Sequence, residues 1–319
     1  MIKNFKRAEK LLVKRARELG KGCKKVFVAV SGGVDSSLIV AILCKAYGPK
    51  NVVGMFRNIR SSDHHWEDVK TLQNVFKFRL MHIDGNPIYD EIVRQIKNSF
   101  ERQDLPWADE GTARAEKLGF TNAYASLKSR LTTPMAGFIA KAIDRGEGRI
   151  FGTGNLEEDG VLRYFDKYGD GAVDSNILNG LNKAEVRQLA LFMGVPKEIV
   201  TKKASADLES NGDKHNDESQ LSDWARKLGH DVEVTYGASD GSEEGNVAWA
   251  MREDMKKGVL TGSNSGADAE KLSKAPFNYS SPEIKIILFL RHIEKVTRHK
   301  VEVIPGLDRK ILLREGVVD

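Results

Sequence analysis

The stretch "VFVAVSGGVDSSLIVAIL", residues 26–43, decides the fold. An apolar run at 26–30 passes directly into Ser31-Gly32-Gly33-Val34-Asp35-Ser36-Ser37, and an apolar-periodic segment comes immediately after. A short apolar run, a cluster of turn residues and then helical periodicity spell a buried strand leading into a helix. A plain strand-to-helix turn needs one glycine and one cap; this one holds two glycines, an aspartate and three serines. Gly32 and Gly33 clear side chains from the turn, so the next amides point outward from a helix start. Such amides, reinforced by the helix dipole, make an anion site. Ser31, Ser36 and Ser37 add hydroxyl donors. Asp35 would repel a phosphate unless a cation lay between them, which points to Mg²⁺ held between Asp35 and a nucleotide. An ordinary capped helix start explains Asp35 alone and leaves the other polar positions without a purpose.

The same alternation continues outward. Short apolar runs at 52–56, 79–83 and 149–152 are separated by helical patterns at 37–47, 63–77, 87–100 and 124–145. Strands alternating with helices of this length predict an α/β fold, a doubly wound parallel sheet with helices on both faces. Ligands of such sheets bind beyond the carboxyl ends of the strands, where residues 31–37 fall. Downstream, "LNKAEVRQLALFMGVPKEI" predicts a helix capped by Asn182 and ended by Gly194 and Pro196. Residues 203–222 have almost no apolar periodicity and are expected to form a mobile active-site loop, with Lys202 and Ser205 at its entrance. Residues 230–280 are expected to be an insertion within a single domain spanning 1–319, and "SPEIKIILFLRHIEKV" returns to an amphipathic helix.

The 319 residues, 40% hydrophobic, are enough for one large α/β domain. The net charge of +5 comes from 50 basic and 45 acidic side chains, a mild excess that suits a phosphorylated partner without requiring one. Cys23 and Cys44 stand in no C-x-x-C spacing and are expected to be reduced, buried thiols. No stretch approaches the roughly 20 apolar residues that span a bilayer, and the first 20 residues lack the apolar core of a signal peptide. No membrane association is expected, and a cytoplasmic location is.

The turn contains neither G-x-x-x-x-G-K-[ST] nor G-x-G-x-x-G. Ser-Gly-Gly-x-Asp-Ser instead resembles the pyrophosphate-binding loop of the N-type ATP pyrophosphatases, whose fold is adenine nucleotide α-hydrolase-like. These enzymes cleave ATP between the α and β phosphates and activate a carboxylate or carbonyl as its adenylate. "FGTGNLEEDGVLRYFDKYGDGAVD" at 151–174 and "LNKAEVRQLALFMGVPKEIVTKKASADL" at 181–208 resemble the NAD synthetases, as do "LKSR" at 127–130 and "HK" at 299–300. The resemblance covers most of the chain apart from roughly 101–120 and 230–280.

That resemblance implies amidation of deamido-NAD with ATP, Mg²⁺ and ammonia, by a homodimer with no nucleic-acid partner. It assigns ATP to Ser31, Gly32, Gly33, Val34, Asp35, Ser36, Thr153, Lys183 and Ser205, and catalysis to Asp35 and Lys202. Asp35 and Glu158 are the implied metal ligands; the spacing to Tyr168 is one residue longer than usual, so Asp159 stands as the alternative to Glu158. Arg130, Lys167, Asp174, His299 and Lys300 match positions that contact deamido-NAD. With the synthetase loop starting at residue 31, no room is left ahead of it for a glutaminase, so ammonium rather than glutamine is the expected nitrogen source. Two departures stand out: Ser126 occupies a position where Asn is common, and "DESQLSDW" lacks a customary glycine. The rival readings are a tRNA-modifying ATP pyrophosphatase, which would ordinarily carry paired cysteines, and a non-catalytic nucleotide-binding relative, which would not need Asp35 and Glu158.

Overall fold

The fold is described from a computed structural model over residues 1–205 and 216–302, with 309, 314 and 315. In chain order the elements are α1 (Phe5–Leu19), β1 (Val26–Ala29), α2 (Val34–Tyr47), β2 (Val52–Asn58), α3 (Asp63–Phe76), β3 (Arg79–Asp84), α4 (Asn86–Arg102), α5 (Ala113–Lys117), α6 (Phe120–Ile143) and β4 (Arg149–Phe151). Next come a π-helical turn (Leu156–Leu162), then α7 (Lys183–Phe192), α8 (Lys197–Val200), α9 (Asp217–Lys227), α10 (Asn246–Lys257), α11 (Ala269–Ser273) and α12 (Ser281–Thr297).

The strands form a parallel sheet of order β3-β2-β1-β4. Val26 sits in register with Val52 on one side and Arg149 on the other. The chain winds outward from β1 to β3 and then crosses to β4, so the order reverses between β1 and β4. A crevice opens at such a switch point beyond the carboxyl ends of the strands. Side chains of β1 alternate: Val26, Val28 and Val30 pack with Leu38 and Ile42 of α2 and with Val186 and Leu189 of α7. Phe27 faces the opposite way, against Val53, Met55 and the α6 residues Ala136, Ile139 and Ala140. Helices on both faces of a parallel sheet result from this alternation.

Asn182 caps α7 and forms a reciprocal capping box with Glu185, as its sequence position predicts. One expectation changes. The segment from 217 to 222 is helical rather than loop, because it begins α9, capped by Asn216, and buries Leu221. The rest of the expected loop, 206–215, lies outside the described residues. The apolar-poor region 230–280 is well packed: Val232, Val234, Tyr236, Val247, Ala250, Val259, Leu260 and Leu272 join Phe289, Leu290 and Ile293 of α12 and Val161 and Leu162 of the π-helical turn in a second core. Its apolar residues are few but fall on inward positions. Both cysteines are free and half-buried rather than fully buried. Among the described residues no helix is long and apolar enough to cross a membrane.

Candidate active site

The turn after β1 places its side chains at the switch point. Gly32 has φ of 82°, and a Cβ there would lie 2.9 Å from the carbonyl oxygen of His65, so the turn presses against α3 in a conformation that favours glycine. Gly33 begins α2, its carbonyl accepting the hydroxyls of Ser36 at 3.1 Å and Ser37 at 2.8 Å. The Ser31 and Ser36 hydroxyls lie 3.3 Å apart.

The turn lines a cleft together with Thr153, Glu158, Lys183, Lys202 and Ser205, although Gly32, expected among the ATP-binding residues, packs against α3 and is not in the lining. Ser31, Gly33, Val34, Asp35 and Ser36, drawn from the first predicted motif, thus meet residues more than a hundred positions away. At the centre, Lys183 Nζ donates to Asp35 Oδ2 at 2.6 Å and to Glu158 Oε1 at 2.7 Å. Asn155 Nδ2 holds the other Asp35 oxygen at 3.0 Å, while its own Oδ1 accepts from the amides of Glu157 and Glu158. Glu158 therefore faces the cleft. Asp159 turns away and accepts from Asn176 at 2.5 Å, so of the two carboxylates that the spacing to Tyr168 left open, Glu158 is the one beside Asp35. The local cause is the π-helical turn, a geometry that shifts the register of side chains and is frequent at functional sites. Lys202 pairs with Asp68 of α3 at 2.7 Å on the cleft wall.

Burial pushes the Glu158 carboxyl up to about 8, Lys183 opposing the rise and Asp35 adding to it. Burial likewise lifts Glu157 to about 7 and Asp159 to about 6. For Lys183 burial works against the charge, but Asp35 and Glu158 outweigh it and hold the ammonium above its ordinary range. The lining carries Asp35, Glu158, Asp170 and Asp217 against Arg57, Lys183, Lys202 and Lys203. A triphosphate entering this balanced cleft needs further positive charge. The donor set fits Mg²⁺: two carboxylates converge on one cation, and Mg²⁺ in phosphate sites takes one or two carboxylates plus phosphate oxygens. No group of three or more His, Cys, Asp or Glu that could hold a metal ion occurs among the described residues.

Arg130, Lys167, Asp174, His299 and Lys300 are not in the cleft lining. Arg130 Nε pairs with Asp166 at 2.9 Å, beside the Ser126 hydroxyl that donates to the same carboxylate. Lys167 donates to the carbonyls of His299 and Glu302, both at 2.7 Å, and Lys300 to those of Arg163 and Phe165. His299 has a ring nitrogen 3.0 Å from the Val296 carbonyl, and Asp174 Oδ2 accepts from the Ile150 amide at 2.8 Å. Of these, Arg130 meets the loop 166–171 through Asp166 and Lys167 lies within it, and the same loop reaches the lining at Asp170, which accepts from Ser129 at 2.8 Å. Sequence reasoning passed over Asn155, Asp68, Arg57, Tyr164 and Asp217. Asn155 stands inside the Gly-Thr-Gly-Asn run and Arg57 at the carboxyl end of β2, and those positions were the available signals.

The family model described as NAD synthase matches residues 5–226. A curated relative from Mycoplasmopsis pulmonis, named NH(3)-dependent NAD(+) synthetase, is 34% identical over 66% of this chain and 70% of its own length. A protein of the same name from Carboxydothermus hydrogenoformans is 27% identical over 67% of this chain and 79% of its own. Among solved structures, the fold is similar to the NMN synthetase of Francisella tularensis, with TM-score 0.65, 18% identity and coverage of 96% of this chain and 99% of that one. It is also similar to the NH3-dependent NAD synthetase of Campylobacter jejuni, with TM-score 0.61, 17% identity and coverage of 96% and 100%. The family match spans both the glycine turn and the Asp35–Lys183–Glu158 centre, and the chain belongs to the NAD synthase family.

Proposed function

We propose that the chain is a cytoplasmic, ammonia-dependent NAD synthetase. The nicotinate carboxylate of deamido-NAD attacks the α-phosphorus of ATP and pyrophosphate leaves; ammonia then attacks the acyl carbon of the adenylate and AMP leaves. The observation that carries this is the convergence of the Ser31–Ser36 turn, Asp35, Glu158, Lys183 and Lys202 in one cleft of a chain from this family. In this reading the turn amides and serine hydroxyls hold the departing pyrophosphate, and Thr153, Lys183 and Ser205 contact ATP. Lys202 supplies positive charge at the cleft wall. Bound by Asp35 and Glu158, Mg²⁺ would neutralise charge on the phosphates as the bond breaks. Arg130, Lys167, Asp174, His299 and Lys300 form the flank that receives deamido-NAD, an assignment supported by their family-like positions. Positioning and charge stabilisation do the catalytic work.

Incubation with ATP, Mg²⁺, ammonium and deamido-NAD is expected to yield NAD, AMP and pyrophosphate in equal amounts. ATP cleavage that is indifferent to deamido-NAD would overturn the assignment. An RNA-thiolating role has no support in the thiols: neither cysteine lines the cleft, and burial pushes the Cys44 thiol up to about 12, away from a reactive thiolate. A homodimer is part of the same proposal. Phe138 on α6 is 77% exposed, and Ile88 and Ile96 of α4 are exposed too, apolar surface suited to a two-fold contact. Light scattering is expected to give twice the chain mass of 35.5 kDa, and an active monomer at assay concentration would count against it.

A further inference from the structure

Tyr236 lies beyond the residues matched by the family model, which end at 226. The segment 231–236 alternates exposed and buried residues, with Val232, Val234 and Tyr236 inward. The next residues, 237–241, are clamped onto α7, the helix that begins with Lys183. Arg187 donates to the Ala238 carbonyl at 2.7 Å and Gln188 to that of Gly241 at 3.0 Å. Gly241 sits so close that a Cβ would lie 2.6 Å from the Ala184 carbonyl oxygen. The Tyr236 amide donates to Glu218 Oε1 of α9 at 2.6 Å. The ring is thereby fixed behind Lys183, whose Nζ stands 5.4 Å from its centroid, a cation–π distance.

The hydroxyl makes this more than packing. Tyr236 is fully buried, and its Oη has no hydrogen-bond partner among the described residues. A buried hydroxyl left without a partner is destabilising, and phenylalanine would fill the same space without that penalty. Burial pushes the phenol well above its ordinary range, and the Glu158, Asp217 and Glu157 carboxylates add to the rise. Glu157, also fully buried, has an Oε1 of its own with no partner among the described residues. The back of the Lys183 site therefore holds a buried hydroxyl with no partner among the described residues, behind an ammonium that Glu158 Oε1 accepts from at 2.7 Å.

We infer that Tyr236 is a positioning residue of the nucleotide site: its ring seats the Lys183 ammonium, and its hydroxyl donates to the Glu158 carboxylate when that ammonium turns to phosphate. The inference rests on the cleft binding Mg²⁺ and ATP. Residues 236–241 of the region 230–280 then form the rear wall of the active site.

The test compares wild type with Tyr236→Phe in the full chain. Apo thermal stability should be unchanged or higher, since an unsatisfied hydroxyl has been removed. The melting shift induced by Mg²⁺ with a non-hydrolysable ATP analogue should shrink. In the amidation assay kcat should fall about tenfold with the KM for deamido-NAD unchanged, the size expected for loss of one hydrogen bond to a charged group. The Mg²⁺ concentration for half-maximal rate should rise. Wild-type kcat, Mg²⁺ dependence and ligand-induced shift in Tyr236→Phe would overturn the inference and leave a packing role. Failure of the wild type to make NAD would instead strike the proposed function, while the melting shifts would still report on Tyr236.

Discussion

Asp35→Asn is expected to lower kcat about a thousandfold at saturating ATP and deamido-NAD, the scale seen when charge stabilisation of a transition state is removed. Asparagine keeps the shape of the side chain and its place at the start of α2, so the turn and its serine hydroxyls persist. It removes one of the two carboxylates that converge on a single cation at the cleft centre. Folding should change little: Lys183 retains Glu158, and the mutual repulsion between Asp35 and Glu158 disappears along with the lost pair. Steady-state rates with circular-dichroism melting separate the two effects. Turnover near wild type at high Mg²⁺ would show that Asp35 takes no part in handling the phosphates.

Lys183→Met should be damaging in a different way. The ammonium is buried and is the partner of both carboxylates, so its removal leaves two acids facing each other in a poorly solvated site. Breaking a buried ion pair from one side costs about 3–5 kcal/mol, and the melting temperature should fall accordingly. The loss should depend on pH. The Glu158 carboxyl is raised by burial from 4.5 to about 8, so the folded chain binds more protons than the unfolded one across that interval. Its contribution is present below the interval and lost as pH rises through it. Without Lys183 opposing the rise, the deficit should be larger at about pH 9 than at about pH 6. Mg²⁺ should stabilise Lys183→Met more than wild type, because the ion offers the missing charge to the same pair. Equal Mg²⁺ effects on both proteins would argue against a cation site between Asp35 and Glu158. Activity should fall at least about a hundredfold, since positive charge placed to offset the phosphates of ATP is lost.

Much of this was legible in the chain because it is local. The apolar runs at 26–30, 52–56, 79–83 and 149–152 all became parallel strands, with ends within two residues of expectation. Strand-to-helix alternation then leaves few arrangements, because crossovers are right-handed and both sheet faces must be covered. The glycine- and serine-rich turn after β1 could be read for the same reason, since it comes from seven consecutive residues. The capping box of Asn182 and Glu185 spans four positions and was equally readable.

Tertiary structure decided what depends on distant segments meeting. A one-dimensional pattern places Lys183 in the first turn of a helix, where an exposed lysine is ordinary. Folding buries it between Asp35, 148 positions earlier, and Glu158, 25 positions earlier. That Glu158 rather than Asp159 stands beside Asp35 was decided by folding, which gives Asp159 to Asn176 and Glu158 to the cleft. Residues 230–280 looked like an insertion because their apolar residues are sparse; those few fall on inward positions and are buried by α12, which no local window contains. Sequence periodicity thus determined the four strands and the helices between them, and the residue types of one short stretch marked the turn at their carboxyl ends. Only packing determined which charges face each other there, because burial and charge pairing depend on separation in space, and the chain closes gaps of more than a hundred residues to set it.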